Sequence, residues 1–327
     1  MVLAPAGSAA AGPAGRFAGV ELGGTKVVVT LADGLDIVER HSLPTTNPGD
    51  TLGAAVDMLA AWDAQAPLAA IGIASFGPIR LDPAAADYGT MLATTKPGWA
   101  GAGVVAAFAS RFDCPVALDT DVNGAGIAEA ALGAGQGCRT IVYLTIGTGV
   151  GGGVIVDGWP APGRFHPEIG HLRLRRADGD GFAGTCSFHG DCIEGLISGP
   201  ALRARFGRDP ATVDPVDPAW DMVASDLAEL FAALMLTLSP DRIVVGGSVA
   251  LGQPDLVARA TRLAGETLAT YIGDYDVAAL SCIIGPPMLG HDAGPLGSIL
   301  LAIRASQCGT PGVTTGLRSA ALRDSRG

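Results

Sequence analysis

The stretch TIGTGVGGG at residues 145–153 decides the fold of this chain. Five of its nine residues are glycine, and β-rich segments flank it at residues 140–146 and 153–156. A hairpin needs only one or two glycines, so the excess indicates a turn whose backbone amides approach a polyanion closely. The candidate phosphate contacts in this turn are Gly147, Thr148, Gly149 and Gly151.

A shorter glycine turn, ELGGTK at residues 21–26, lies between predicted strands at 17–22 and 27–31. By itself it also fits an ordinary tight hairpin. Neither turn is a P-loop, and neither opens a helix as a dinucleotide fingerprint does. Because a β-turn-β unit occurs in each half, we predict a nucleotide held between two domains. The candidate contacts in this turn are Gly23, Gly24, Thr25 and Lys26.

Strands and helices mix along the whole chain, which predicts an α/β class. A length of 327 residues exceeds what one compact core usually serves, so two domains are expected. Further strands are predicted at 36–43, 69–75, 115–119 and 242–245. Helices are predicted at 51–65, 104–112, 123–132, 219–238 and 289–303.

Composition and charge exclude several function classes. The net charge of −11 argues against a nucleic-acid partner, which would require a basic face. No apolar run approaches the roughly 20 residues that a membrane helix needs, and the N-terminal residues make a poor signal peptide. We therefore expect no membrane association and a cytoplasmic location. Residues 1–16 and 309–327 are predicted to be a flexible extension and a flexible tail.

An acidic turn, LDTDVNG at residues 118–124, follows a predicted buried strand. Asp121 is expected at or near the N-terminus of the next helix. Two roles fit this position. Asp121 is either an ordinary helix N-cap or a general base that takes a proton from an alcohol during phosphoryl transfer.

The most specific signal combines HPEIGH at residues 166–171 with CSFHGDC at residues 186–192. Two imidazoles and two thiolates suit tetrahedral Zn²⁺ in a closed, structural site. The spacing differs from that of a DNA-binding finger. His166 is an alternative to His171 as one ligand. The predicted set is His171, Cys186, His189 and Cys192.

Together these residues resemble the ROK family of sugar kinases and repressors within the actin-like ATPase superfamily, above all its zinc-containing fructokinases. The resemblance covers roughly residues 17–303 and includes SFGP at 75–78 and KPGW at 96–99. It implies a two-domain actin-like (ribonuclease H-like) fold with a cleft between the domains. The first domain would comprise residues 17–121 plus about 289–305, and the second, with the zinc-binding loop, residues 122–288.

The resemblance also implies residue roles. Asp121 matches the catalytic base, Glu168 the residue that binds sugar hydroxyls, and His171 the zinc ligand that borders the sugar. Many family members have Asp where this chain has Glu21, so the resemblance assigns no Mg²⁺ ligand here. The remaining implied contacts are Gly77, Pro78, Trp99 and Asn123 for the sugar, and Gly246 and Gly247 for the nucleotide.

The implied activity is the ATP- and Mg²⁺-dependent phosphorylation of a hexose, foremost D-fructose to fructose 6-phosphate. The implied state is a homodimer whose zinc is structural. The alternatives are a kinase for glucose, mannose or an N-acetylhexosamine, and a catalytically silent sugar-binding regulator on the same fold.

Overall fold

The structure is a computed structural model that describes residues 14–307. The predicted extension up to residue 13 and the predicted tail lie outside the described residues. The first sheet has the strand order β3-β2-β1-β4-β5. Its strands are β1 (Arg16–Leu22), β2 (Lys26–Asp33), β3 (Asp36–Pro44), β4 (Ala70–Ser75) and β5 (Val116–Thr120).

The second sheet repeats this plan with the order β10-β9-β6-β7-β8. In each sheet three consecutive strands pair antiparallel, and the first of them also pairs with a parallel strand that follows a helix. The sequence indication of two related halves is therefore confirmed at the level of strand order. The strands are β6 (Thr140–Ile146), β7 (Val150–Val156), β8 (Trp159–Pro160), β9 (Arg242–Gly246) and β10 (Ile284–Gly285).

Ten helices occur among residues 14–307. The five predicted helices are confirmed, the one at 219–238 with the predicted ends and the other four with shifted ends. The second ends at Ala109, and the last begins at Ala293 because residues 290–292 form a 3-10 turn. The helices are α1 (Pro48–Gln65), α2 (Val104–Ala109), α3 (Asp121–Leu132), α4 (Ile193–Ile197), α5 (Gly199–Phe206), α6 (Ala219–Leu238), α7 (Ser248–Gly252), α8 (Pro254–Leu268), α9 (Val277–Ile283) and α10 (Ala293–Gln307).

Three apolar cores hold the layers together. One joins the first sheet to α1 and α2, and another joins the second sheet to α6 and α8. The third includes residues of both sheets together with α3 and α10, such as Ile127 and Ile299. Helices α3 and α10 therefore form the layer that connects the two sheets. Within residues 14–307, no helix is both long and apolar enough to cross a membrane.

Parallel pairing brings the carboxyl ends of three strands of the first sheet together, because Leu22, Ser75 and Thr120 are neighbours in register. In the second sheet β6 and β9 end side by side in the same way. Ligands of open α/β sheets bind beyond the carboxyl ends of the strands. The segments that follow these strands are therefore the place to look for a site.

Helix α10 lies directly on the backbone of β4 at Gly72. A Cβ atom at Gly72 would lie 1.9 Å from the carbonyl oxygen of Ser298 and 2.5 Å from the amide nitrogen of Ala302. Because both atoms belong to the helix backbone, a side chain fits only if α10 moves away from the sheet.

We therefore expect Gly72→Ala to lower the free energy of unfolding by about 3 kcal/mol or more, since overpacking of this kind displaces backbone. Urea unfolding followed by circular dichroism measures the change. Gly53→Ala is the matched control, because Gly53 lies exposed in α1 with open space around it. The control is expected to gain about 0.5–1 kcal/mol from helix propensity. Equal stability of the two variants would contradict the described packing.

Candidate active site

The first glycine turn joins β1 to β2, and hydrogen bonds to neighbouring residues fix its backbone. The amide of Gly23 donates to the carbonyl oxygen of Lys26 at 3.0 Å. The hydroxyl of Thr45 donates to the carbonyl oxygen of Gly23 at 2.7 Å. Gly24, Thr25 and Lys26 are exposed. The turn therefore has a fixed backbone and an open outer face.

Lys96 also fastens this turn, a role that the sequence did not reveal. Its ammonium group donates to the carbonyl oxygens of Gly24 at 2.5 Å and Thr45 at 3.0 Å. Since Lys96 lies more than 70 positions along the chain from Gly24, no local pattern predicts the contact. The contact places a cation at the phosphate-type turn.

The second glycine turn, between β6 and β7, is braced by α4 and α5. The carbonyl oxygen of Gly147 accepts the amide of Gly199 at 2.7 Å. The carboxylate of Glu194 accepts the amide of Val150 at 3.1 Å. A Cβ atom at Gly149 would lie 2.7 Å from that carboxylate. Glu194 lies two positions after the predicted zinc ligand Cys192. The segment that follows the predicted zinc loop therefore also holds this turn.

The other glycines of the predicted nucleotide site lie beside this turn. Gly246 ends β9, and Gly247 has φ +89. A Cβ atom at Gly247 would lie 2.4 Å from the carbonyl oxygen of Ile146, so only glycine lets β9 end against β6. Gly151 lies in β7 against Val122, and Thr148 is exposed at the tip of the turn.

Asp121 is the first residue of α3, directly after β5. The helix N-cap is Thr120, whose hydroxyl accepts the amide of Asn123 at 3.2 Å. The structure thereby removes the N-cap alternative for Asp121. The Asp121 carboxylate accepts the amide of Val122 at 2.9 Å.

The carboxyl groups of Asp121 and Glu21 are poorly solvated. Burial raises the pKa of Asp121 to about 6, although hydrogen bonds from backbone amides lower it in part. Burial, followed by the charge of Asp121, raises the pKa of Glu21 to about 7. The pKa of Tyr143, on β6 of the second sheet, is raised by burial and by the charges of Glu129, Glu21 and Asp121. The charges of Glu21 and Asp121 therefore act on a residue of the second sheet.

Two predicted sugar contacts, Trp99 and Asn123, have buried side chains. Trp99 is completely buried, and its indole nitrogen donates to the carbonyl oxygen of Thr46 at 2.8 Å. Asn123 is 1% exposed, and its side-chain nitrogen donates to the carboxylate of Asp119 at 2.6 Å. Hydrogen bonds within the protein therefore hold both side chains in place.

The side chain of Glu168 is 42% exposed. Its pKa is raised to about 7 by partial burial, then by the charges of Glu194 and Asp121.

His166, which lies beside Glu168, contacts the loop that follows β4. The His166 ring nitrogen Nε2 accepts the amide of Ile79 at 3.3 Å. A Cβ atom at Gly77, which precedes Pro78 through a cis peptide bond, would lie 3.2 Å from the His166 ring.

The side chains of the predicted metal ligands converge, and His171 rather than His166 completes the cluster. The ligand atoms of His171, Cys186, His189 and Cys192 all lie within 4.8 Å of one another. Nδ1 of His171 lies 3.6 Å from Cys192 Sγ and 3.8 Å from Cys186 Sγ. Zinc bonds of about 2.3 Å to sulfur and 2.0 Å to nitrogen separate such atoms in a tetrahedron by about 3.5 Å. The cluster therefore has the size and chemistry of a structural zinc site.

The fold consists of two matched sheets with a glycine turn at the carboxyl end of a strand in each. Beside them lies the carboxyl group of Asp121, which does not cap α3. Together these features define a kinase of the actin-like ATPase fold. Solved structures show the same architecture. The ROK hexokinase from Thermus thermophilus superposes with a TM-score of 0.70 at 26% identity, over 90% of this chain and 100% of that one. A ROK glucokinase from Streptomyces griseus, in complex with glucose and AMPPNP, gives 0.67 at 25% identity over 88% and 99%.

The sequence comparison agrees. The sequence pattern of the ROK family matches residues 17–305, and the chain belongs to this family. The fructokinase of Zymomonas mobilis is 41% identical over 294 residues, which are 88% of this chain and 96% of the relative. A putative fructokinase of Bacillus subtilis is 36% identical over the same shares. The predicted family, fold and enzyme class are confirmed, and the chain is a sugar kinase.

The raised pKa of Asp121 predicts how this residue affects stability. A carboxyl whose pKa rises on folding destabilises the folded state once the pH exceeds its ordinary value of 3.8, and the cost is complete above about pH 6. We expect Asp121→Asn to raise the melting temperature at pH 8, with a gain that shrinks toward pH 4. Differential scanning calorimetry across this range measures it. Asp57→Asn, on an exposed position of α1, serves as the control, and a gain that grew toward acid pH would contradict the prediction.

Proposed function

We propose that this kinase transfers the γ-phosphoryl group of Mg-ATP to the 6-hydroxyl of D-fructose. The observation that carries the proposal is the state of Asp121. Thr120 caps α3 in its place, and burial brings its pKa to about 6. A base works best with a pKa near the working pH, where it is ionised and still accepts a proton. The 41% identity to a fructokinase favours fructose as the sugar.

In the proposed reaction Asp121 accepts the proton of the sugar hydroxyl while the sugar oxygen bonds to the γ-phosphorus. The bond from that phosphorus to the β,γ-bridging oxygen breaks, and ADP leaves with that oxygen. Amides of the two glycine turns would bind the phosphates, together with Lys96. Mg²⁺, arriving with ATP, supplies charge compensation there. Glu21, buried beside Asp121, is the residue best placed to interact with it.

The sugar would be held by Glu168, whose side chain is 42% exposed and whose pKa is raised in part by the charge of Asp121. Zinc would hold the loop that carries Glu168. Four protein ligands leave the metal no open position, so its role is structural. A homodimer and a cytoplasmic location, as the family resemblance implies, complete the proposal.

Glucose or an aminosugar is the second candidate substrate. The Streptomyces griseus glucokinase holds glucose on the same fold, and the kanosamine kinase of Amycolatopsis mediterranei is 28% identical over 73% of this chain. Hydrogen-bonding groups around the sugar decide between such substrates.

The test is ADP release from Mg-ATP with fructose, glucose, mannose and N-acetylmannosamine. We expect the greatest kcat/KM with fructose and a decline of about tenfold per pH unit below about pH 6, as Asp121 becomes protonated. Asp121→Asn is expected to lower kcat by about 10²-fold or more, the usual contribution of a general base. Asp57→Asn should leave turnover unchanged. An active Asp121→Asn enzyme would exclude Asp121 as the base, and turnover with another hexose alone would exclude fructose.

Zinc binding is tested with Cys186→Ser, which removes one of two thiolate ligands. We expect metal analysis to find about one zinc ion per parent chain and far less in the variant, because serine is a poor zinc ligand. The variant should also melt earlier, since the metal no longer holds the loop. Cys282→Ser is the control, because Cys282 is exposed and lies outside the cluster. A fully loaded Cys186→Ser protein would contradict the ligand assignment.

A further inference from the structure

His166 is a buried polar residue at the meeting point of two segments. Its side chain is 4% exposed, and it lies outside the four-residue metal cluster. One edge of the ring meets the loop after β4, through the amide of Ile79. The other edge meets Glu168, with Nδ1 3.3 Å from Oε1. Buried polar groups are costly unless they have partners, and both of its ring nitrogens have polar neighbours.

The contact with Ile79 fixes the tautomer of the ring. A backbone amide only donates, so Nε2 must carry a lone pair. In the neutral ring the proton then resides on Nδ1, the nitrogen that faces Glu168. In that tautomer Nε2 is the acceptor for the segment after β4, and the proton on Nδ1 lies at the edge of the ring that faces the Glu168 carboxylate.

The close approach of His166 also explains Gly77. The Cβ atom of any other residue there would lie 3.2 Å from Cε1 of the ring and 3.5 Å from Nε2. The ring of Phe165 also packs against the imidazole, with ring centroids 4.0 Å apart. With this ring contact and polar neighbours at both nitrogens, the imidazole has little freedom to turn.

We propose that His166 is a positioning residue that directs the Glu168 carboxylate toward the sugar and links its direction to the loop of residues 77–79. This inference rests on the proposed role of Glu168 in binding the sugar. Glu168 is itself exposed and follows no regular element, so its direction depends on such a neighbour. A displaced loop would shift the imidazole, and with it the carboxylate.

Two substitutions separate the two contacts. The side-chain nitrogen of asparagine lies where Nδ1 of histidine lies, so His166→Asn keeps a donor toward Glu168 and loses the reach to Ile79. Glutamine extends to the position of Nε2, so His166→Gln keeps an acceptor for Ile79 and loses the donor toward Glu168. We expect His166→Gln to raise the KM for the sugar about tenfold, the effect of one hydrogen bond to a charged group. Its KM for ATP should stay within about twofold. His166→Asn should raise the sugar KM less than His166→Gln does, because it keeps the donor toward Glu168 and loses only the contact with Ile79.

Glu168→Gln and the double variant with His166→Gln complete a cycle. If His166 acts through Glu168, His166→Gln adds no further increase in sugar KM to Glu168→Gln. Additive effects, equal increases in both KM values, or an unchanged sugar KM in His166→Gln would overturn the inference. The parent is assayed first. A parent without hexose-dependent turnover would overturn the proposed function as well, whereas an active parent with an unaffected His166→Gln variant overturns this inference alone.

Discussion

The rest of the structure depends on the contact between α3 and α10, the two helices that connect the sheets. They cross where neither has a side chain, because a Cβ atom at Gly297 would lie 2.2 Å from the carbonyl oxygen of Gly124. Helix α10 also lies on Gly72 through its backbone and on Gly19 through the Ser298 side chain. Glycine at these four positions allows α10 to pack closely on α3 and on the first sheet. This spacing brings the carboxyl ends of both sheets close enough to share one site.

That closeness also sets the electrostatics of the site. Glu21, Asp121 and Glu168 come from different segments, yet burial raises the pKa of each. Neighbouring carboxylates are the second cause for Glu21 and Glu168. A polyphosphate brings more negative charge to the same place. Lys26 and Lys96 at the first turn, with backbone amides, supply the opposing charge. A carboxyl group with a pKa near neutrality is a poor stabiliser of the fold and a suitable base.

The loop between the metal ligands is fastened at a second point. Arg176 and Arg205 form ion pairs with Asp180, and Arg205 also pairs with Asp226 of α6 at 2.8 Å. Asp226 is 1% exposed, and burial raises its pKa to about 6 despite the two arginines. Loss of one partner would leave a buried charge uncompensated. The segment that carries Glu168 therefore leads into a loop held both by the metal cluster and by the helices of the second half.

Local sequence was sufficient to predict the two glycine turns, the strands beside them, the acidic turn and the Cys and His set. Each of these depends on a few neighbouring residues with a fixed chemistry and spacing. The relative positions of segments far apart in the chain came only from the tertiary structure. Thr120 rather than Asp121 caps α3, His171 rather than His166 joins the cluster of Cys and His side chains, and Trp99 is completely buried.

Lys96 and Glu194, which brace the turns, are ordinary charged residues by sequence, because their partners lie 72 and 44 positions away. The amino-acid sequence thus determined which chemical groups this protein has and the local turns that display them. The tertiary structure decided which of those groups meet. Contacts between residues of the two sheets depend on how closely α3 and α10 pack. The spacing of residues along the chain does not reveal the distance between these helices.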